Sequence, residues 1–553
     1  MSPRVEESGA AERRTASGER ELAKHECIPF SVVPHSTPLF LDFISHSIKL
    51  APYFPHTPTL QNVERFARGL HHPPERRAAV ANILERQNRA FGLSPSVMES
   101  ISRLRGGAVA VLTGQQVGIF GGPLYSVLKA VSAVQMARDL TARGVDAVPI
   151  FWLATEDHDL AEVNHAFYCK GGELKKLTSS SKGKSAAPVG DVRFGEEIAS
   201  IADEFAATLE DKSLASIVRE SYRAGETFSS AFGKFFARLF QGHGLILIDP
   251  LDAELHRLAA PLLRAAAEHP HELDSALLAR GRQLRADGYH EQVKVTASST
   301  LLFSLRNGQR TVMHVAGEDF MIGAQKVARA EVLEEISNHP ELFSANVLLR
   351  PVLQDYLLPT AAYFGGAAEV AYFAQLSVVY EKLLGRVTPV LPRFSATILS
   401  AEQQRRLQKY RLGMPDLFHG TDELKEKLAM TAFAPSLQHE FLSAADSVRG
   451  HIERLQTHLR SLDPTLVDAA ERSGRKMQYQ LSKIQRKAAR AEVRRNPELV
   501  ADADAILCEL FPHKDLQERT LTGIHFMAKH PGLISDLLAL AGEYCPGHHL
   551  VKL

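Results

Sequence analysis

The sequence predicts an α/β protein built on a parallel sheet, with a long helical arm attached. An apolar strand at Ala108–Leu112 runs through a glycine-rich turn into a helix with the stripe Leu124, Val127, Leu128, Val131 and Val134, and a second apolar strand follows at Ala147–Leu153. A strand, helix and strand in that order make a crossover unit whose strands run parallel. From about 399 to 510 the chain turns helical and charged: Val448, Ile452, Leu455, Leu459 and Leu462 fall at 4,3,4,3 spacing, and Met477, Leu481, Ile484 and Ala488 repeat it. Such seams must be buried against another helix. At 553 residues the chain exceeds one ordinary core, so additions to the sheet domain are expected.

The first turn is a candidate ligand cradle spanning Gly114 to Lys129, with Gln115, Gln116 and Tyr125 among its side chains. Gly114, Gly118, Gly121 and Gly122 free the backbone, Pro123 suits a first helical turn, and a helix start offers unpaired N–H groups to an anion such as phosphate. Lys129, two turns into the helix, is a candidate phosphate contact. Neither GxGxxG nor GxxxxGK[ST] is present, so the dinucleotide fingerprint and the P-loop are not supported, and a tight turn without ligand stays open.

At the carboxyl end of the second strand come Glu156, Asp157, His158 and Asp159, then Asn164 and His165. Open α/β sheets bind ligands at this edge. Asp157 and His158 are the candidates for acid–base catalysis, Glu156 and Asp159 for orienting substrate or Mg2+, and Asn164 and His165 for binding. Helix capping by Asp157 or Asp159 is the alternative. Without HExxH or HxH spacing, no tightly bound metal is expected.

Residues 27–169 form the first part of the core, followed by an insertion over 170–240 that opens with an exposed Ser/Lys/Gly loop, Lys170–Ser185. Core returns over 241–265, where Gly244–Asp249 reads as a strand ending in Asp249, a candidate binding residue or a helix cap. A second insertion covers 266–345, with strands at Gln292–Thr296, Thr300–Leu305 and Thr311–Val315 around Asn307-Gly308. The last core part, 346–398, carries Arg350 as a clamp for carboxylate or phosphate, Gln354 and Asp355 as hydrogen-bonding groups, Gly365 and Gly366 for close backbone approach, and Glu369 at a helix start. An Arg350–Asp355 ion pair is the alternative. Then come the arm, 399–512, where Asp463-Pro464 makes an antiparallel hairpin as consistent as one long coil, and a C-terminal segment, 513–553.

Lys plus Arg and Asp plus Glu number 64 each, so no global field attracts nucleic acid or an anionic membrane. Residues 1–26 are polar and read as a mobile tail, neither signal peptide nor anchor, and no apolar run reaches bilayer-spanning length. Cys27, Cys169, Cys508 and Cys545 are scattered without CxxC, which fits ordinary thiols in a reducing cytoplasm.

Four segments carry a resemblance: Thr113–Tyr125, Phe151–Asp159, Leu348–Pro359 and Glu369–Leu376. With them, in this order, the chain resembles the BshC family, cysteine ligases of bacillithiol biosynthesis. That resemblance implies a Rossmann-like core interrupted by connecting-peptide insertions, and a coiled-coil arm that pairs two subunits into a homodimer. It also implies L-cysteine and glucosaminyl-malate as substrates, joined by ATP with Mg2+. A metal-dependent hydrolase using Glu156–Asp159, or a non-catalytic nucleotide-binding scaffold, are the competing expectations.

Overall fold

Five strands, Val109–Gln115, Ala147–Leu153, Ile246–Ile248, Thr360–Gly365 and Val390–Pro392, are almost wholly buried, and that burial explains why they read as apolar runs without polar alternation. In the computed structural model, which describes residues 24–184, 186–306, 308–543 and 545–553, every neighbouring pair among them is parallel. Numbered along the chain, they lie in the order 5-4-1-2-3. The order reverses between the first and fourth strands, and at that switch point the two following helices lie on opposite faces and leave a crevice at the carboxyl edge.

Successive residues point to opposite faces. Ala110, Leu112, Val148, Ile150, Trp152, Ile246 and Ile248 share one core with the helices Pro74–Phe91, Pro95–Gly106, Ala253–Glu268 and Ala367–Leu384. Phe151, Leu153 and Leu247 face the other core, packed on Tyr125–Ala142 and on Phe232, Phe235 and Phe236. Gly114 sits where a Cβ would stand 2.7 Å from the Trp152 carbonyl oxygen, so a side chain would push the first two strands apart.

The edge strand Ile246–Ile248 is closed by a helix. Asn88 donates from Nδ2 to the Leu247 carbonyl (2.8 Å) and accepts from its N–H (3.0 Å), while Gln87 does the same for Asp249 at 2.9 Å in both directions. Two amide side chains thus substitute for a sixth strand.

Both insertions leave the sheet and return. After the second strand, His165–Lys170 and Glu173–Thr178 form an antiparallel hairpin, so part of the segment expected as a loop is a strand; Ser185 lies outside the described residues. The second insertion carries a five-stranded antiparallel sheet that includes Ser299–Arg306, Gln309–Ala316 and Phe343–Ala345. Asn307 of its expected turn also lies outside the described residues. Gln292–Thr296, expected as a strand, is irregular, because the Val293 N–H and C=O are both taken by the Gln375 side chain at 2.8 Å.

Pro435–Leu462 and Thr465–Arg495 form the arm, an antiparallel hairpin turning at Asp463-Pro464, where Asp463 Oδ1 accepts from the Thr465 N–H at 2.8 Å. Gly474 lets the helices approach: a Cβ there would lie 3.1 Å from Ile452. Leu442, Leu455, Leu462, Met477 and Ile484 stay exposed.

The expected tail 1–26 lies outside the described residues up to 23. Lys24–Glu26 belong to a strand, Lys24–Pro29, that pairs antiparallel with Gly547–Lys552. The expectation of four ordinary thiols is corrected, since Cys27 and Cys545 form one disulfide and Cys169 and Cys508 another. These partners are 518 and 339 residues apart, so no local spacing could reveal them. Among the described residues no helix is long and apolar enough to cross a membrane.

Replacing Asn88 by Leu orphans two buried backbone groups of the edge strand, each worth about 1–3 kcal/mol. Chemical denaturation is expected to show a loss of about 2–4 kcal/mol; unchanged stability would mean that the edge strand does not depend on the amide.

Candidate active site

The switch-point crevice deepens into a cavity of about 600 Å3. Its floor comes from the ends of the first, second and fourth strands and its roof from the second insertion, through Phe303, Arg310 and Ala345.

Lys129 reaches this floor because its helix lies directly behind the first strand. Buried to 3% exposure, it donates from Nζ to the Gly114 carbonyl (2.8 Å) and Gln115 Oε1 (2.9 Å), and pairs with Glu369 Oε2 at 2.5 Å. Burial pulls its ammonium below the ordinary lysine range, and Glu369 pulls it back. Burial likewise pushes Glu369 up, but Lys129 outweighs it and holds the carboxyl below the usual range. Glu369 is further fixed by Tyr363 Oη (2.6 Å) and the Gly366 N–H (2.8 Å), and a Cβ on Gly365 would crowd Glu369 Cβ at 2.9 Å.

One wall is acidic. Gln116 Nε2 bridges Asp157 Oδ2 (2.7 Å) and Glu162 Oε2 (2.6 Å), and Glu156 stands deeper, its carboxyl raised by burial. Guanidinium groups line the same cavity. Arg350 is half-buried, and among the described residues no carboxylate is hydrogen-bonded to it; its guanidinium donates to Gln354 Oε1 (3.1 Å) and to the hydroxyls of Tyr363 and Tyr372 (3.4 and 3.3 Å). Arg393 is locked bidentately on Glu518 (3.0 and 2.6 Å), and Arg310 is held by Ser344 Oγ and the Ala345 carbonyl. Such a cavity can seat a substrate with an ammonium at one end and an anion at the other.

Of the residues singled out from sequence, Gly114, Gln115, Gln116, Tyr125, Lys129, Glu156, Asp157, Arg350, Gly366 and Glu369 line this cavity. The others do not. His158 is 47% exposed beside Asp157, and Asp159 caps the short helix Leu160–Val163. His165 lines a smaller cavity of about 110 Å3 with Gly118 and Gly122, and Asn164 contacts the His165 ring. Asp249 is tied to Thr155 Oγ1 at 2.6 Å, to Ser229 and to the Leu251 N–H; the cap of the following helix is Asp252. Gln354 and Asp355 are buried behind Arg350, and Asp355 bonds Tyr380 rather than Arg350.

Several amides of the glycine turn are already taken. Gly118 N–H donates to the Gln116 carbonyl, Gly121 N–H to Tyr222 Oη, Gly122 N–H to the Ile119 carbonyl and Leu124 N–H to the Leu521 carbonyl. The helix starts at Tyr125, two residues later than Pro123 suggested. Gly121, at φ +83°, packs on Phe235. This turn shapes the floor.

Glu162, Arg310, Tyr363, Tyr372, Arg393 and Arg519 were not selected from sequence, yet they line the cavity. Arg393 directly follows the last core strand, a position that marks it in retrospect; Arg310 carries no such mark, being delivered by an inserted sheet. Among the described residues no group of three or more His, Cys, Asp or Glu is arranged to hold a metal ion.

Lys129→Met leaves the Glu369 carboxylate buried and unpaired, at a cost of about 3–5 kcal/mol. Adding Glu369→Gln is expected to restore a large part of it in a double-mutant cycle. Strictly additive losses on denaturation would show that the two charges do not depend on each other.

The profile for the BshC N-terminal Rossmann-like domain of bacillithiol biosynthesis matches residues 24–394, and that for the BshC C-terminal coiled-coil domain matches 396–553. The chain is 48% identical over 528 residues to the protein named "Putative cysteine ligase BshC" from Koribacter versatilis (strain Ellin345), covering 95% of this chain and 99% of that relative. A protein of the same name from Solibacter usitatus (strain Ellin6076) is 38% identical over 537 residues, with the same coverage, and one from Geobacillus thermodenitrificans (strain NG80-2) is 30% identical over 435 residues, 76% of this chain and 80% of that one. With both domains matched from the first described strand to the last residue, the chain belongs to the BshC family of bacillithiol biosynthesis.

Proposed function

We propose that this protein is a ligase that joins the carboxyl of L-cysteine to the amine of glucosaminyl-malate, driven by ATP with Mg2+. The observation that carries the reading is the meeting in one cavity of carboxylates, Glu156, Asp157 and Glu162, and of cations, Lys129, Arg350 and Arg393. An amide-forming site must hold an ammonium near carboxylates and must receive anions, here the malate carboxylates or the nucleotide phosphates. Arg350, a half-buried cation whose hydrogen bonds among the described residues go to neutral oxygens, is the receptor we assign to an anion. Asp157, held by Gln116, orients the amine. ATP supplies the activation that makes a carboxylate a competent acyl donor. A cytoplasmic setting follows from those substrates.

Purified protein given cysteine and glucosaminyl-malate, followed by mass analysis, tests the reading. Amide product that needs ATP and Mg2+ supports it. Metal-dependent turnover without nucleotide, or no turnover, contradicts it in favour of a hydrolase or a scaffold. Arg350→Gln is expected to raise the KM of an anionic substrate about tenfold or more, the worth of a charge-assisted hydrogen bond; an unchanged KM would remove Arg350 from the binding set.

A second copy is the partner we propose for the arm, whose exposed Leu455 and Ile484 lie on a segment matched to a coiled-coil domain. Changing both to Glu is expected to give a monomer by light scattering with the sheet domain still folded. Unchanged mass would leave the arm intramolecular.

A further inference from the structure

Glu156 stands apart from the other carboxylates of the cavity. Asp157 and Glu162 are held by Gln116, and Glu369 by Lys129, Tyr363 and the Gly366 amide. Glu156 is 11% exposed, and among the described residues no donor makes a hydrogen bond to its carboxylate. A buried carboxylate left in that state is costly unless something from the cavity completes it.

Behind it lies His256, on the helix Ala253–Glu268, with Nε2 3.5 Å from Glu156 Oε1. The other ring nitrogen, Nδ1, is 3.2 Å from the Pro340 carbonyl oxygen. A carbonyl only accepts, so Nδ1 carries hydrogen, and Nε2 faces Glu156. The result is a carboxylate–imidazole pair open to the cavity at one end and closed by backbone at the other. The remaining charged groups facing Glu156 are Arg310 from the inserted sheet, Asp249 beyond the third strand and Arg350.

We infer that Glu156 is the base that takes the proton from the attacking ammonium, with His256 as the positioning residue behind it. This rests on the ligase reading. In the step, the amine substrate gives one proton to Glu156 and becomes R–NH2; its lone pair attacks the carbonyl carbon of the cysteinyl group activated by a nucleoside triphosphate. The C–N bond forms, the C–O bond to the phosphoryl leaving group breaks, and the leaving group departs with that electron pair. The second N–H proton and the one on Glu156 pass to solvent. Burial holds the Glu156 carboxyl above its ordinary range, which brings it closer to an amine's range and makes it a stronger base.

Hydroxylamine separates this step from activation, because it is unprotonated at neutral pH and needs no base to attack an activated acyl group. Glu156→Gln is expected to lower kcat/KM for amide formation by about 100-fold or more while ATP-dependent cysteine hydroxamate still forms at close to the wild-type rate. Glu156→Asp should recover part of the amide activity. Since His256 draws the Glu156 carboxyl down, His256→Gln should move the acid limb of the kcat/KM profile to higher pH and leave hydroxamate formation unchanged. Glu156→Gln ligating at the wild-type rate, or losing both products in parallel while folded by circular dichroism, overturns the inference. A wild-type enzyme that forms neither product overturns the ligase reading beneath it.

Discussion

A lysine ammonium deep in a protein is tolerated only where oxygens replace its lost water. Lys129 satisfies that demand with the Gly114 carbonyl, the Gln115 amide oxygen and the Glu369 carboxylate, which belong to the first strand and to the helix after the fourth. One cation therefore pins together the two elements that flank the switch point. The geometry of the crevice follows from it. Glu369, once paired, orders Tyr363 and the Gly366 amide, and Tyr363 in turn meets Arg350.

A second buried pair ties the site to the C-terminal domain. Arg393 emerges from the last core strand and is locked by Glu518, which also accepts from the Ser395 hydroxyl and the Ala396 N–H. Burial raises the Glu518 carboxyl, but Arg393 outweighs it and keeps it ionised. Arg519, the next residue, lines the cavity. The strand Gly547–Lys552 and the Cys169–Cys508 disulfide add further ties between the domains. The cavity is thus shared between the two matched domains.

What the sequence made legible was local. Apolar runs announced Val109–Gln115 and Ala147–Leu153 because both are buried on both faces, and a helical stripe announced Tyr125–Ala142. The carboxylates after the second strand were found because the end of a parallel strand is a functional position whatever follows. Interactions between distant segments were not legible. Free amides at the glycine turn were expected from a helix start, yet Tyr222 and Leu521, about 100 and 400 residues away, take the hydrogen bonds of Gly121 and Leu124. His158 looked catalytic beside Asp157, and its Nδ1 does lie 3.6 Å from Asp157 Oδ1, but its exposed ring is not among the groups that line the cavity. Arg310, Glu518 and both disulfides likewise depend on tertiary return paths that no short pattern encodes.

The central claim is that one cavity at the switch point receives the amine at Glu156 and Asp157 and the anion at Arg350. A crystal structure with glucosaminyl-malate bound tests it most directly. The account requires the amine within hydrogen-bond reach of Glu156 and an anionic group on Arg350. Substrate bound in another cavity, or in this one with its amine turned toward Arg350, would contradict it.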